Sequence, residues 1–144
     1  MNFTEKLIGI LEYVTVFLLG AVMYFLAEIV YRGYSHMTMF FAGGICFFLI
    51  YICEKHIRHL RLVYRCILYA FMITAVEFIF GVIFNVWLEL DVWDYSHEPF
   101  NFLGQICPGF VFMWMALSLP AVWIAGKIRN LFTGLSKKFM KNAL

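Results

Sequence analysis

The sequence predicts an all-α integral membrane protein, a four-helix transmembrane bundle. Three observations carry that expectation. First, 64% of the 144 residues are hydrophobic and 14% are charged, with a mean hydropathy of +0.85. Soluble domains are about 45–50% apolar and about 25% charged, so a soluble fold of this composition would lack the polar surface to cover itself. Second, the apolar residues gather into four blocks, each close to the roughly 20 residues that a helix needs to cross a bilayer. Third, the connections between the blocks differ in charge sign, as in a chain that threads back and forth through a membrane.

The first block covers residues 7–31. It is too long for the apolar part of a signal peptide, contains Glu12 and Glu28, and lacks a small-residue cleavage site, so it is expected to remain as a helix of the mature protein. The second block, 37–53, begins at "TMFFAGG", where Gly43 and Gly44 suit tight helix contact. The third, 63–90, is long enough to tilt or to project from the bilayer. The fourth, 103–126, carries Pro108 near its start and Pro120 inside, where proline kinks a helix and frees a carbonyl. A broken helix end at Pro108 would leave unsatisfied backbone groups, one way to build a polar site at membrane depth. Residues 1–126 thus form the four-span domain, and 127–144 a basic tail that either lies along the membrane as an interfacial helix or frays.

Charge orients this bundle. "EKHIRHLRLVYR", between the second and third blocks, holds Lys55, Arg58, Arg61 and Arg65 against Glu54, and the tail holds Lys127, Arg129, Lys137, Lys138 and Lys141 without an acid. The connection before the fourth block holds Glu89, Asp91, Asp94 and Glu98 without a Lys or Arg. Basic loops stay in the cytoplasm. The middle loop and both termini are therefore expected inside, and the other two connections outside. Arg32 is the one basic residue this assignment leaves outside.

Several function classes are disfavoured. A net charge of +2 is too small for a nucleic-acid binder. There is no GxxxxGK[ST], no HExxH and no GxSxG, so neither P-loop ATP hydrolysis nor these two catalytic motifs are present. The four cysteines include no CxxC pair and lie in or beside apolar blocks, where cysteine behaves as a small hydrophobe. Cys53, His56 and His59 are three apart but lack a clear fourth zinc ligand. No cofactor and no enzymatic activity are expected.

Polar groups inside the blocks are the positive clues, because an ionisable residue at the bilayer centre costs about 2.5–3.5 kcal/mol on insertion scales. Glu28 and Arg32 are four apart and so share a helix face; they either line a site or set the depth of the helix. Glu12, near the other end, is expected to reach the cytoplasmic surface. Glu77, Gly81, Asn85 and Glu89 recur every four residues as a slowly drifting stripe, extended inward by Thr74. Glu77 lies roughly 20 Å along the helix from Arg65, deep enough that it must be paired, protonated or facing a wet cavity. Next comes "VWDYSHEPFNFLGQICPGF", where Asp94, His97, Glu98, Asn101 and Gln105 arrive among Trp93, Tyr95, Phe100 and Phe102. Asp94 with His97 could serve acid–base work, although a capping or turn role is the commoner use of such an Asp.

Two stretches, "YRGYSHMTMFFAGG" and "VWDYSHEPFNFLGQICPGF", resemble the small bacterial polytopic membrane proteins of the Putative ABC-transporter type IV family. The matching positions are Glu28, Arg32, Gly33, His36, Gly43, Gly44, Glu77, Gly81, Asn85, Trp93 to Ser96, Pro99, Asn101, Gly104, Gln105 and Trp114. Pro108 stands where the family pattern has Leu. The resemblance implies a helical transport component and supplies no substrate.

Topology and resemblance converge on one expectation: an outward-facing polar pocket lined by Glu28, Arg32, Glu77, Asn85, Asp94, Asn101 and Gln105, with Trp93 and Tyr95 at its rim. It would bind a small polar or cationic molecule, or a lipid headgroup, in the bacterial cytoplasmic membrane. The alternatives are a non-catalytic accessory or oligomerising subunit and, third, a small lipid-modifying enzyme using Glu77, Asp94 or His97. Four helices are few for a complete transporter, so the expected partners beyond the lipid bilayer are further copies or another membrane subunit, and a separate ATPase.

Overall fold

The computed structural model describes residues 3–142 and is a bundle of four helices. They are α1 (Phe3–Arg32), α2 (Met37–Ile57), α3 (Leu62–Phe80), continued by a π-helical segment over Gly81–Trp87, and α4 (Pro108–Asn142). Four stretches within them, Glu5–Arg32, Met37–Ile57, Leu62–Trp87 and Pro108–Phe139, are long and apolar enough to cross a membrane. The chain is a multi-pass helical membrane protein.

The element ends follow from local chemistry. Gly33 adopts φ +80°, a left-handed conformation that glycine takes without a Cβ clash, and its N–H bonds the Ile29 carbonyl at 2.8 Å. Three residues on, the His36 ring accepts from the Thr38 N–H and caps α2. Pro108 opens α4. Proline is favoured at a first helical position because its missing N–H would have no helical partner there. The proline therefore starts the fourth span rather than breaking it, and residues 103–107, expected inside that span, belong to the preceding connection. The third span, α3 with its π-helical continuation, stops at Trp87 rather than 90, and α2 runs four residues beyond the expected 53. α4 continues through Pro120 and Gly126 to Asn142. The tail is thus an extension of the fourth helix; Leu144 at its end and the Lys141 side chain lie outside what is described.

Contacts between helix ends set an up-and-down arrangement. Glu54 on α2 meets Arg65 and Arg129 at one end of the bundle. At the other, Arg32 of α1 reaches Val92 in the α3–α4 connection. The first is the basic end and the second the acidic end.

The α1–α2 seam closes most tightly. A Cβ on Gly43 would lie 2.3 Å from Tyr24 Cβ, and one on Gly20 would lie 2.4 Å from Phe47 Cβ. Only glycine allows these backbones to approach so closely. Three buried clusters follow along the axis: Val16, Phe47, Tyr51, Ala125 and Ile128 near the basic end, Cys46, Ile50, Tyr69, Ile73 and Trp114 at the centre, and Met39, Val92 and Trp93 under the acidic end. Large apolar side chains such as Phe71, Phe112 and Val30 stay exposed on the outer face. In lipid that exposure costs nothing, because acyl chains are as apolar as the side chains.

Candidate functional site

The connection 88–107 folds back into the mouth of the bundle. Val92, Trp93, Gln105 and Cys107 are all buried. Asn85 holds the connection down. Its carboxamide accepts from the Val92 N–H at 2.7 Å and donates to the Trp93 carbonyl at 2.9 Å and to Gln105 Oε1 at 2.8 Å. Trp93 Nε1 donates to the Gln105 carbonyl at 3.0 Å. Trp93 is therefore a wedge under the cap, not a residue of the rim.

The π segment explains how one stripe meets one loop. Four residues overshoot a turn of α-helix, whereas in the wider π geometry they fall short of one. The drift from Glu77 to Gly81 is thus reversed from Gly81 to Asn85. Gly81 gives the loop room: a Cβ there would lie 2.4 Å from Gln105 Oε1. Glu89 lies past the helix end, exposed and at φ 51°, and does not join the stripe.

Further out the loop ties itself. The Asp94 carboxylate accepts from the Ser96 N–H and hydroxyl, each at 2.8 Å. These bonds hold its pKa below the ordinary aspartate value, with a smaller contribution from His97. The Asn101 amide donates to the Ser96 and Glu98 carbonyls, and its oxygen accepts from the Gly104 N–H. Asp94 and Asn101 are turn-forming residues here, and His97 is exposed beside them.

Glu28, Arg32, Tyr95 and Glu77 come together differently. Arg32 donates to Glu28 at 2.6 Å and to the Val92 carbonyl at 3.0 Å, and Ser35 donates to the other Glu28 oxygen at 2.5 Å. Glu77 is 5% exposed; Tyr95 OH donates to one of its oxygens and Trp114 Nε1 to the other, both at 2.9 Å. Burial and the neighbouring Glu77 charge raise the Tyr95 phenol well above its ordinary pKa, so it stays a donor. Its ring stacks on Phe110 at 4.2 Å.

Between α1 and α4 lies a cavity of about 160 Å³, lined among others by Tyr24, Glu28, Arg32, Tyr95, Phe110 and Trp114. Of the nine expected site residues, three line it: Glu28, Arg32 and Tyr95. Glu77 sits directly behind Tyr95 and Trp114. Asn85, Trp93, Asp94, Asn101 and Gln105 build the cap beside it. Tyr24 and Tyr31, at spacings of four and three around Glu28, and Phe110 and Trp114, four apart on α4, were absent from the expected lining. Those i, i+3 and i, i+4 spacings were the available signal. A second cavity of about 280 Å³ runs deeper and shares Tyr24, Ala27, Trp114 and Leu117 with the first. Its walls are almost wholly apolar, among them Cys46, Ile50, Ile73 and Ile124.

The basic end holds a second polar network. Glu12 accepts from the Tyr51 hydroxyl and lies 3.7 Å from Lys55 Nζ, so it is bonded within the bundle rather than merely reaching for the surface. Glu54, 4% exposed, pairs with Arg65 at 2.6 Å and accepts from Tyr69 OH at 2.7 Å. Among the described residues, no three His, Cys, Asp or Glu side chains gather as a metal site.

Residues 15–144 match the model of the family described as Putative ABC-transporter type IV. The chain belongs to this family. Membership places it, at a coarse level, among ABC-transporter-type membrane components, and the match takes in the capped pocket and all of the basic network except Glu12. Neither a curated protein nor a solved structure matches the chain.

Proposed function

We propose that the chain is a permease-like, non-catalytic component of a transport system that binds a small organic cation between α1 and α4. The observation that carries this reading is Glu77. Its carboxylate is buried, and its two hydrogen-bond donors, Tyr95 and Trp114, are both neutral. No cation lies within ion-pairing reach among the described residues. Burying an ionised carboxylate without a cation costs several kcal/mol, and a bound cation offsets that cost. The site otherwise suits one: Glu28 and Arg32 in the lining neutralise each other, so an ionised Glu77 directly behind the wall leaves a formal charge of −1. Tyr24, Tyr95, Phe110 and Trp114 offer aromatic faces, each worth about 0.5–2 kcal/mol to a cation seated over it. The deeper apolar cavity would accept a hydrocarbon substituent on the same molecule.

The pocket would open outward, with the basic end and both termini in the cytoplasm of a bacterial cell, as the excess of Lys and Arg at that end supports. Four spans enclose too little space for a complete permeation path. The component would therefore work as an oligomer or with another membrane subunit, and draw on a separate ATPase, since the sequence carries no P-loop.

A non-catalytic accessory or oligomerising subunit is the second reading. It is favoured by the cap, where Asn85, Asp94, Asn101 and Gln105 spend their hydrogen bonds on the loop itself. Thermal melting of the purified protein with choline or tetramethylammonium separates the two. The transport reading expects the organic cation, but not equal sodium chloride, to raise Tm, and expects Glu77→Gln to fold and lose the shift. No shift with any organic cation, together with a destabilised Glu77→Gln, would leave the accessory reading standing.

A further inference from the structure

The basic end carries a feature that the cation pocket does not use. α2, α3 and α4 leave a cleft of about 240 Å³ there, into which Arg58, Arg65, Lys127 and Arg129 converge around one carboxylate, Glu54. Four cations against one acid leave a formal excess of three. Glu54 is already committed to Arg65 and Tyr69. Arg129 has no carboxylate partner among the described residues; it donates to the backbone carbonyls of Glu54 at 3.3 Å and Tyr51 at 3.5 Å and lies 5.6 Å from the Tyr51 ring centroid. Arg58 and Lys127 are exposed, and neither forms an ion pair among the described residues. Like charges gathered in one cleft repel unless an anion sits among them.

The walls indicate which anion. Guanidinium groups offer planar, paired donors that match phosphate oxygens, and an ammonium adds a point charge. Val122 and Trp123 complete the cleft. Trp123 is 65% exposed on the outer face of α4, with Lys127 Nζ 5.3 Å from its ring centroid. A crossing of about 20 residues that starts at Pro108 is complete near Lys127, and an exposed tryptophan beside a lysine there marks the membrane interface. The cleft therefore opens where phospholipid headgroups lie, with an apolar wall on the side of the acyl chains.

We propose that this cleft is a site for the phosphodiester headgroup of an anionic phospholipid. Arg58 and Lys127 are the free cations that would reach the phosphate, while Arg65 and Arg129 form the fixed basic floor. Basic recesses between spanning helices are suited to this role because each cation near the surface adds attraction to the phosphate.

Melting of the full chain in an uncharged detergent, titrated with phosphatidylglycerol, phosphatidylcholine or pyrophosphate, tests the proposal. Phosphatidylglycerol is expected to raise Tm saturably and phosphatidylcholine is not. Arg58→Gln and Lys127→Gln, both at exposed positions, should not lower the lipid-free Tm, since each relieves repulsion in the cleft, and should weaken the apparent affinity by about 5-fold each. Lys137→Gln and Lys138→Gln, exposed on the same helix beyond the cleft, should have no such effect. An undiminished response in the Arg58→Gln/Lys127→Gln double variant, or an equal loss from the two tail variants, would overturn the site. A response to pyrophosphate without one to phosphatidylglycerol would overturn the lipid as its occupant.

Discussion

Replacing Asn85 with Ala should release the cap while leaving the four spans assembled. The carboxamide makes three hydrogen bonds, to the Val92 N–H, the Trp93 carbonyl and Gln105 Oε1. Gln105 is buried too, but its side-chain amide can rotate about its own torsions. The Val92 N–H and Trp93 carbonyl belong to buried residues and cannot. Each polar group stranded in this way costs about 1–3 kcal/mol, so the two together cost roughly 2–6 kcal/mol. That exceeds what a 20-residue connection can lose without local opening, because much of its apolar anchorage is Val92 and Trp93 themselves. For a chain of this size, about 2–4 °C of Tm accompanies each kcal/mol, if the loss is felt globally. Hydrogen exchange is the sharper assay: amides over 92–105 should exchange far faster in Asn85→Ala, and those of α1 and α2 should not. Asn85→Asp should be no better, since it keeps the acceptor for Val92 but sets a carboxylate against two carbonyl-type oxygens. Unchanged exchange over 92–105 in Asn85→Ala would refute the assignment of Asn85 as the anchor.

Other outcomes follow from the same geometry. Gly43→Leu should cost about 1–3 kcal/mol or more by overpacking the α1–α2 seam, read as a lower Tm, because even a Cβ meets Tyr24 at 2.3 Å. Glu54→Gln should destabilise by roughly 3–5 kcal/mol by stranding Arg65, and the Glu54→Gln/Arg65→Gln double variant should recover part of that loss in a thermal melt. The depressed Asp94 pKa means that its turn is favoured above the unfolded value of about 3.9 and loses that support as pH falls through the lower folded value. Protection of the Ser96 amide, taken relative to the unstructured exchange rate at each pH, should accordingly fall only in strong acid, and that fall should be missing in Asp94→Ala. Tyr95→Phe keeps the ring stack on Phe110 but removes a donor from Glu77, so it should weaken binding of an organic cation less than Glu77→Gln does.

The spans were legible because hydropathy reports the solvent of a helix directly. The Glu28–Arg32 pair was legible because both partners sit on one helix at a fixed spacing, and no tertiary knowledge is needed to bring them together. Glu77 announced itself as a carboxylate too deep to be idle, yet its donors come from residues 18 and 37 positions away. Periodicity within α3 says nothing about such partners. Trp93 beside acidic residues resembles an interfacial tryptophan; only the inward fold of the loop, fixed by Asn85, puts it under the cap. The π segment has no compositional mark. On the basic side, Glu54 and Arg65 looked like flanking charges of a loop, but α2 runs on to Ile57, so Glu54 turns inward onto Tyr69.

Equilibrium binding of labelled choline to the chain in nanodiscs tests the central claim most directly, with Glu77→Gln and wild type compared at matched ionic strength. The account predicts saturable binding of one choline per chain by the wild type. It also predicts an affinity at least about 10-fold weaker in Glu77→Gln, equivalent to about 1.4 kcal/mol, with the melting temperature of the choline-free variant preserved. Equal affinity in the two proteins, or no saturable binding by the wild type, would contradict it.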